Sequence, residues 1–221
     1  TPVLATSDSN VAVDNICEGL RARGVKAIRV GRPEKVRGVI EDMTLEAELK
    51  KVKQQQLQEA YEKADEEGDE NGKKGGGKFP PPGGKSGGKM GCKGGMGGMG
   101  LLEDAGEAAI RVFEDRRTQN RQDYELQMKI LREAEVICTT TIAAGMDFLS
   151  RIGSFEGILV DEVAQATELS TAVPVILRGT QRLVLVGDHC QLPPAVLSPE
   201  AEVRGLSLSV YSRLIQAGGL K

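Results

Sequence analysis

Residues 158–165 read Ile158-Leu159-Val160-Asp161-Glu162-Val163-Ala164-Gln165. Three consecutive apolar residues form a short run of the kind that becomes a buried strand, and two adjacent carboxylates end it. At the carboxyl edge of a parallel sheet such a pair faces a ligand crevice. Two acids partly buried side by side lose hydration, a cost that a cation offsets. In phosphoryl-transfer sites the first acid holds Mg²⁺, commonly through water, and the second polarises the attacking water. A strand ending in a solvated Asp-Glu turn is the competing reading of these eight residues alone.

A second apolar run, Leu183-Val184-Leu185-Val186, leads into Gly187-Asp188-His189-Cys190-Gln191-Leu192-Pro193-Pro194. Glycine permits a tight turn at the strand end, and the two prolines stiffen the exit. Asp188 and Gln191 are then expected on a fixed loop beside the neighbouring strand's carboxylates, where a polar group can report whether a γ-phosphate is present. An ordinary Gly/Pro-marked loop is the alternative. His189 is the sole histidine and adjoins Cys190, so a metal site is conceivable, but further ligands are lacking.

Working outward, Val3–Thr6, Lys26–Val30 and Val136–Thr139 are three more short apolar runs. All five are mostly continuous in hydrophobicity rather than alternating, as in strands covered on both faces. Helical periodicity lies between them: Val13, Ile16 and Leu20 share one face of Asn10–Arg23, and Gly24 can end that helix. Alternating strands and helices predict a parallel α/β sheet. Residues 34–67 read as mostly helix, with Leu45, Leu49 and Val52 at i, i+4 and i+7 and Leu57, Tyr61 and Ala64 repeating the spacing. Residues 103–134 read as a second long helix carrying Val112, Phe113, Tyr124, Met128 and Leu131. The two could pair as an antiparallel helical arm.

The chain has 221 residues, 29 basic against 32 acidic, for a net charge of −3. Residues 72–100 hold 14 of the 28 glycines, six lysines and no acid, so without them the chain stands at −9. A globally basic nucleic-acid coat protein is excluded, and any nucleic-acid contact must come from a local groove. The Gly/Lys-rich stretch has too little apolar surface to offset its ordering entropy, so 68–102 is expected to be a disordered loop. It reads as a tolerated insertion or as a weak electrostatic tether for RNA or DNA. No apolar run nears the roughly 20 residues of a membrane span. Cys17, Cys92, Cys138 and Cys190 are scattered, which suits reduced thiols in a cytoplasmic or nuclear protein.

Taken together, Val160-Asp161-Glu162-x-x-Gln165, followed one strand later by Val186-Gly187-Asp188-x-x-Gln191-Leu192-Pro193-Pro194, resembles motifs II and III of superfamily 1 helicases. The nearest likeness is the up-frameshift-type group, with the nonsense-mediated-decay and immunoglobulin-switch-binding helicases. Val3–Asp14 is similar to motif Ia, Val136–Thr141 resembles motif Ib, and Ser207–Leu214 resembles the segment after motif III. One departure is Asp8, where the family usually has Pro; an acid beside a phosphate track is unfavourable.

The resemblance covers nearly the whole chain except the Gly/Lys stretch. It implies an α/β, parallel-sheet, RecA-like P-loop NTPase domain, incomplete here. Residues 1–33 would hold motif Ia, 34–134 an inserted helical subdomain, and 135–221 motifs Ib, II and III. It also implies an ATP-dependent 5′→3′ helicase on single-stranded RNA or DNA. Asp161 would hold Mg²⁺ through water, Glu162 would activate water, Gln165 and Gln191 would sense the γ-phosphate, and Asp188 would brace the loop. Ser9, Asn10, Thr139 and Thr140 would donate hydrogen bonds to backbone phosphates or sugars, contacts that carry no sequence information. Without the family, Ser9-Asn10 is a plain helix N-cap and Thr139–Thr141 are strand-end threonines.

ATP use also needs a Gly-rich phosphate loop ending in Lys and Ser or Thr. The one Gly-Lys-Ser, Gly84-Lys85-Ser86, has Phe79 where the required earlier glycine would stand, with no strand before it. The true loop is expected before Thr1 and a second RecA-like domain after Lys221, so these residues alone are expected to be inactive. A non-catalytic nucleic-acid-binding module derived from a helicase is the rival reading, and a nucleotide kinase a third.

Overall fold

The apolar runs become five strands: β1 (Val3–Ser7), β2 (Ala27–Arg29), β3 (Val136–Thr140), β4 (Ile158–Asp161) and β5 (Leu183–Leu185). In the computed structural model the described residues are 1–32, 36, 38–69 and 101–218, with the backbone alone described for 63–69 and 101–115. The strands form one sheet in the order β2-β3-β1-β4-β5, every pair parallel. Parallel neighbours need crossovers, and helices supply them. They are α1 (Asn10–Arg21), α2 (Leu45–Asp69), α3 (Leu101–Glu133), α4 (Asp147–Ser150), α5 (Glu168–Arg178), α6 (Pro199–Val203) and α7 (Val210–Gln216). The chain is thus α/β with the expected parallel sheet.

Side chains alternate across the sheet with period two, and both faces are covered. Leu4 lies opposite Ile137, which lies opposite Ile28, and these join Leu45, Met128, Leu131, Leu149 and Phe155 in one apolar cluster. Ala5 lies opposite Cys138, and with Ala27 these join Val13 and Cys17 of α1 and Ile40 and Met43 in a second. The Cys138 thiol is pushed far above its ordinary range, chiefly by its hydrogen bond with Cys17 and then by burial. It stays protonated and serves as packing rather than as a nucleophile.

Leu183 and Val184 of β5 are 43% and 50% exposed, not covered on both faces. Among the described residues β5 pairs with β4 alone. The helical stripe departs from expectation. Leu49 and Val52 pack on the first cluster, but Leu57 and Tyr61 are 58% and 64% exposed.

The protein divides into two compact units, Thr1–Val52 with Asp123–Lys221, and Lys53–Gln122. The first takes in the beginning of α2 and the end of α3, inside the stretch 34–134 expected as a separate subdomain, because Leu45, Met128 and Leu131 belong to its core. Residues 68–69 and 101–102 are helical, whereas 70–100, the bulk of the expected loop, lie outside the described residues. No described helix is long and apolar enough to cross a membrane.

Candidate functional site

β4 buries Ile158 and Val160 and brings Asp161 to the carboxyl rim, partly exposed. The chain then turns sharply. Glu162 has φ +54°, in the left-handed region that a non-glycine residue enters at a cost of about 1–2 kcal/mol. Asp161 Oδ1 accepts the Glu162 backbone N–H at 3.0 Å and steadies the turn. Beyond the named strands the ladder continues, with Val186 N–H donating to Val160 O at 2.8 Å and Val163 N–H to Val186 O at 3.0 Å. That continuation holds Glu162 beside the loop that leaves β5.

Gly187 opens that loop, and a Cβ there would meet the Ala164 nitrogen at 3.0 Å and Val163 Cγ1 at 3.1 Å. Asp188 Oδ1 accepts the Cys190 backbone N–H at 2.9 Å, and Gln191 Nε2 donates to Asp188 Oδ2 at 3.4 Å. These bonds, the backbone one foremost, hold the Asp188 carboxyl below its ordinary range. Gln165 Nε2 donates to Glu162 Oε2 at 3.0 Å and to Gln191 Oε1 at 3.3 Å. Glu162, Gln165, Gln191 and Asp188 therefore form one hydrogen-bonded chain across two loops. Buried Pro194 anchors the far end of the second loop. Asp188, His189 and Cys190 have ligand atoms within 4.8 Å of one another, all exposed.

The same rim carries the other expected residues. Ser9 caps α1, its Oγ accepting the Ala12 N–H at 3.1 Å. Asn10 Oδ1 accepts from Arg29 Nη2 at 2.9 Å, which leaves its amide nitrogen as the group to offer a ligand. Thr140 Oγ accepts the Ala143 N–H at 3.3 Å and keeps its own proton for donation. Thr139 is a correction: it is wholly buried, its Oγ without a hydrogen-bond partner in the described structure, so it presents nothing to a strand. Period two points adjacent threonines to opposite faces.

Asp8 accepts the Thr141 hydroxyl at 2.9 Å, clasping the ends of β1 and β3. Ser7 pairs in register with Asp161, and Asp8, Ser9, Glu162 and Gln165 line a single cavity of about 270 Å³. The two groups of residues are thus contiguous.

Two arginines escape a motif reading. Arg29, 1% exposed, donates to Asp14 Oδ1 at 3.0 Å and to the Val30 carbonyl at 2.6 Å besides Asn10. A lone Arg inside an otherwise apolar strand was the available signal. Arg178 on α5 is buried and donates to the Ala144 carbonyl at 2.6 Å and the Met146 carbonyl at 2.8 Å, fixing the segment after β3. Burial pulls its pKa down from the ordinary arginine value.

A parallel sheet with an acid pair and a glycine-led polar loop at its carboxyl rim defines an α/β domain of the RecA-like class. A family model described as AAA domain matches residues 1–199. Regulator of nonsense transcripts 1 of Caenorhabditis elegans is 30% identical over 218 residues, 98% of this chain and 16% of that protein. Its Drosophila melanogaster homolog is 41% identical over 118 residues, 53% of this chain and 10% of that protein. The ATP-dependent helicase upf1 of Schizosaccharomyces pombe is 27% identical over 221 residues, 99% of this chain and 19% of that protein. The chain belongs to the AAA domain family and, within it, to the superfamily 1 helicases of the up-frameshift type. It spans between 10% and 19% of the length of these relatives.

Proposed function

We propose that this chain is the part of an ATP-dependent helicase that couples hydrolysis to 5′→3′ movement on single-stranded RNA or DNA. The observation that carries the reading is the hydrogen-bonded chain from Glu162 through Gln165 and Gln191 to Asp188. It joins the hydrolytic acid to the loop that senses the nucleotide.

The donor set suits a hard cation. Asp161 uses Oδ1 on its own turn and would hold Mg²⁺ through water. Bound Mg²⁺ supplies neutralisation of charge developing on the phosphates. Glu162 takes the proton of the attacking water. Gln165, already bonded to both Glu162 and Gln191, relays whether a γ-phosphate is present, and Asp188 keeps Gln191 at a fixed distance. Ser9, Asn10 and Thr140 hold the strand by its backbone; the buried Thr139 has no part. The rims of β1 and β4 line one cavity, so the hydrolytic acid and the strand-side residues Asp8 and Ser9 are neighbours. In the sequence of these 221 residues the one Gly-Lys-Ser lacks the earlier glycine of a phosphate loop. Alone they turn over no ATP, and they act in the cytoplasm or nucleus.

Single-turnover hydrolysis by the full helicase tests this reading. Glu162→Gln abolishes hydrolysis and keeps nucleotide binding; near-wild-type hydrolysis refutes the role. Nucleic-acid-stimulated turnover by the isolated chain refutes the statement about its inactivity.

A further inference from the structure

His189 and Cys190 have no part in the nucleotide reading, yet they stand on its sensing loop. Asp188, His189 and Cys190 place a carboxylate oxygen, an imidazole nitrogen and a sulfur within 4.8 Å of one another, all exposed. Among the described residues no other trio of His, Cys, Asp or Glu converges in this way. The loop that presents them is held firmly. Asp188 Oδ1 accepts the Cys190 N–H at 2.9 Å, the Asp188 carbonyl accepts the Gln191 N–H at 3.2 Å, and Gly187 approaches the Ala164 backbone closely.

We propose that Asp188, His189 and Cys190 form a Zn²⁺ site, and that the bound metal inhibits hydrolysis by drawing Asp188 away from Gln191; the effect on hydrolysis rests on the nucleotide reading above. A tetrahedral zinc with bonds of ~2.3 Å to sulfur and ~2.0 Å to nitrogen holds those two atoms about 3.5 Å apart. Cys190 Sγ and His189 Nε2 stand 3.7 Å apart, so that edge of the tetrahedron is set before a metal arrives. The donor set also selects the ion. Thiolate and imidazole are zinc ligands, whereas Mg²⁺ takes oxygen. Binding is a ligand exchange that needs no oxidant: the Zn–S bond forms, metal-bound water leaves, and the thiol proton passes to solvent. Three protein ligands leave the fourth position to water.

The consequence for hydrolysis follows from what Asp188 already does. Its Oδ1 holds the Cys190 N–H at 2.9 Å, and its Oδ2 receives Gln191 Nε2 at 3.4 Å, beyond the usual length of such a bond. A carboxylate that turns to a metal gives up the longer, weaker bond first. That bond is the end of the chain running from Glu162 through Gln165 and Gln191. Zinc therefore releases Gln191 from its brace while leaving Asp161 and Glu162 in place. The hard and the soft cation have separate donors on one rim.

The test titrates Co²⁺, whose sulfur-to-metal charge-transfer band reports thiolate ligation, and then Zn²⁺ into the 221-residue chain with excess Mg²⁺ present. The expected result is one tetrahedral Co²⁺ per chain, displaced by Zn²⁺ and unmoved by Mg²⁺. Cys190→Ser removes the sulfur band, and His189→Gln weakens binding at least about tenfold, the loss that even a residue merely supporting a metal ligand costs. Cys92→Ser changes neither. In the full helicase, buffered Zn²⁺ lowers single-turnover hydrolysis by the parent and spares Cys190→Ser, which hydrolyses like the parent when zinc is absent. No sulfur band, or a band that survives Cys190→Ser, overturns the site. Hydrolysis equally zinc-sensitive in parent and Cys190→Ser overturns the inhibitory role. A full helicase that hydrolyses no ATP overturns the nucleotide reading, while a band lost in Cys190→Ser still supports the metal site.

Discussion

Gly187 and Ala164 approach closely across the two loops of the rim: a Cβ added to Gly187 would stand 3.0 Å from the Ala164 backbone nitrogen and 3.1 Å from Val163 Cγ1. The obstacle is backbone, so it cannot rotate away. Gly187→Ala therefore forces the loops apart by a few tenths of an ångström and stretches the 3.3 Å bond between Gln165 and Gln191. The expected outcome is a stability loss of about 1–3 kcal/mol and a large fall in hydrolysis by the full helicase, with strand affinity nearly kept. Denaturant melts and turnover assays separate the two effects.

Glu162 holds a left-handed backbone that its side chain disfavours. Glu162→Gly should raise the chain's stability by about 1 kcal/mol while removing the carboxylate proposed above as the general base. A denaturant midpoint that shifts downward would show that the Gln165 contact outweighs the backbone relief.

Arg178 satisfies two carbonyls, those of Ala144 and Met146. Arg178→Met keeps much of the apolar stem but leaves both acceptors without their donor, at about 1–3 kcal/mol. Hydrogen exchange should rise across residues 142–146 more than across β4. Uniform acceleration over the whole sheet would instead mean general destabilisation.

Arg213 of α7 donates through Nε to Glu168 Oε2 at 3.0 Å and through Nη2 to the other oxygen. These bonds hold the Glu168 carboxyl below its ordinary value. A depressed folded-state pKa stabilises above the unfolded value of about 4.3, and the contribution fades as pH falls through the lower folded value. Asp188 acts in the same sense. Melting temperature measured from pH 6 to pH 3 should therefore fall less steeply in Glu168→Gln than in the parent.

The strands were legible because their apolar runs are short and bounded by polar turns, and Leu4, Ile137 and Ile158 pack as their hydropathy suggests. The adjacency of Glu162, Gln165 and Gln191 was legible because each lies at a fixed offset beyond a strand end. Other features depend on tertiary context. Nothing in a glutamate announces a left-handed backbone; the β4–β5 ladder imposes it by running on past the turn. Thr139 and Thr140 look equivalent as a pair, yet strand alternation buries one and presents the other. Arg29 is visible as an anomaly in an apolar run, whereas its partner Asp14 lies 15 positions away on a helix.

The clasp between Asp8 and Thr141 joins residues 133 positions apart. Bringing β1 against β3 thus closes a very large ring, and the entropy of ring closure grows only with the logarithm of its size. Excising residues 72–100 would ease that closure by about 0.2 kcal/mol. The length of the intervening chain is therefore nearly silent in equilibrium stability. It is felt in time, since the central strand must wait for a distant partner to arrive before the sheet can assemble.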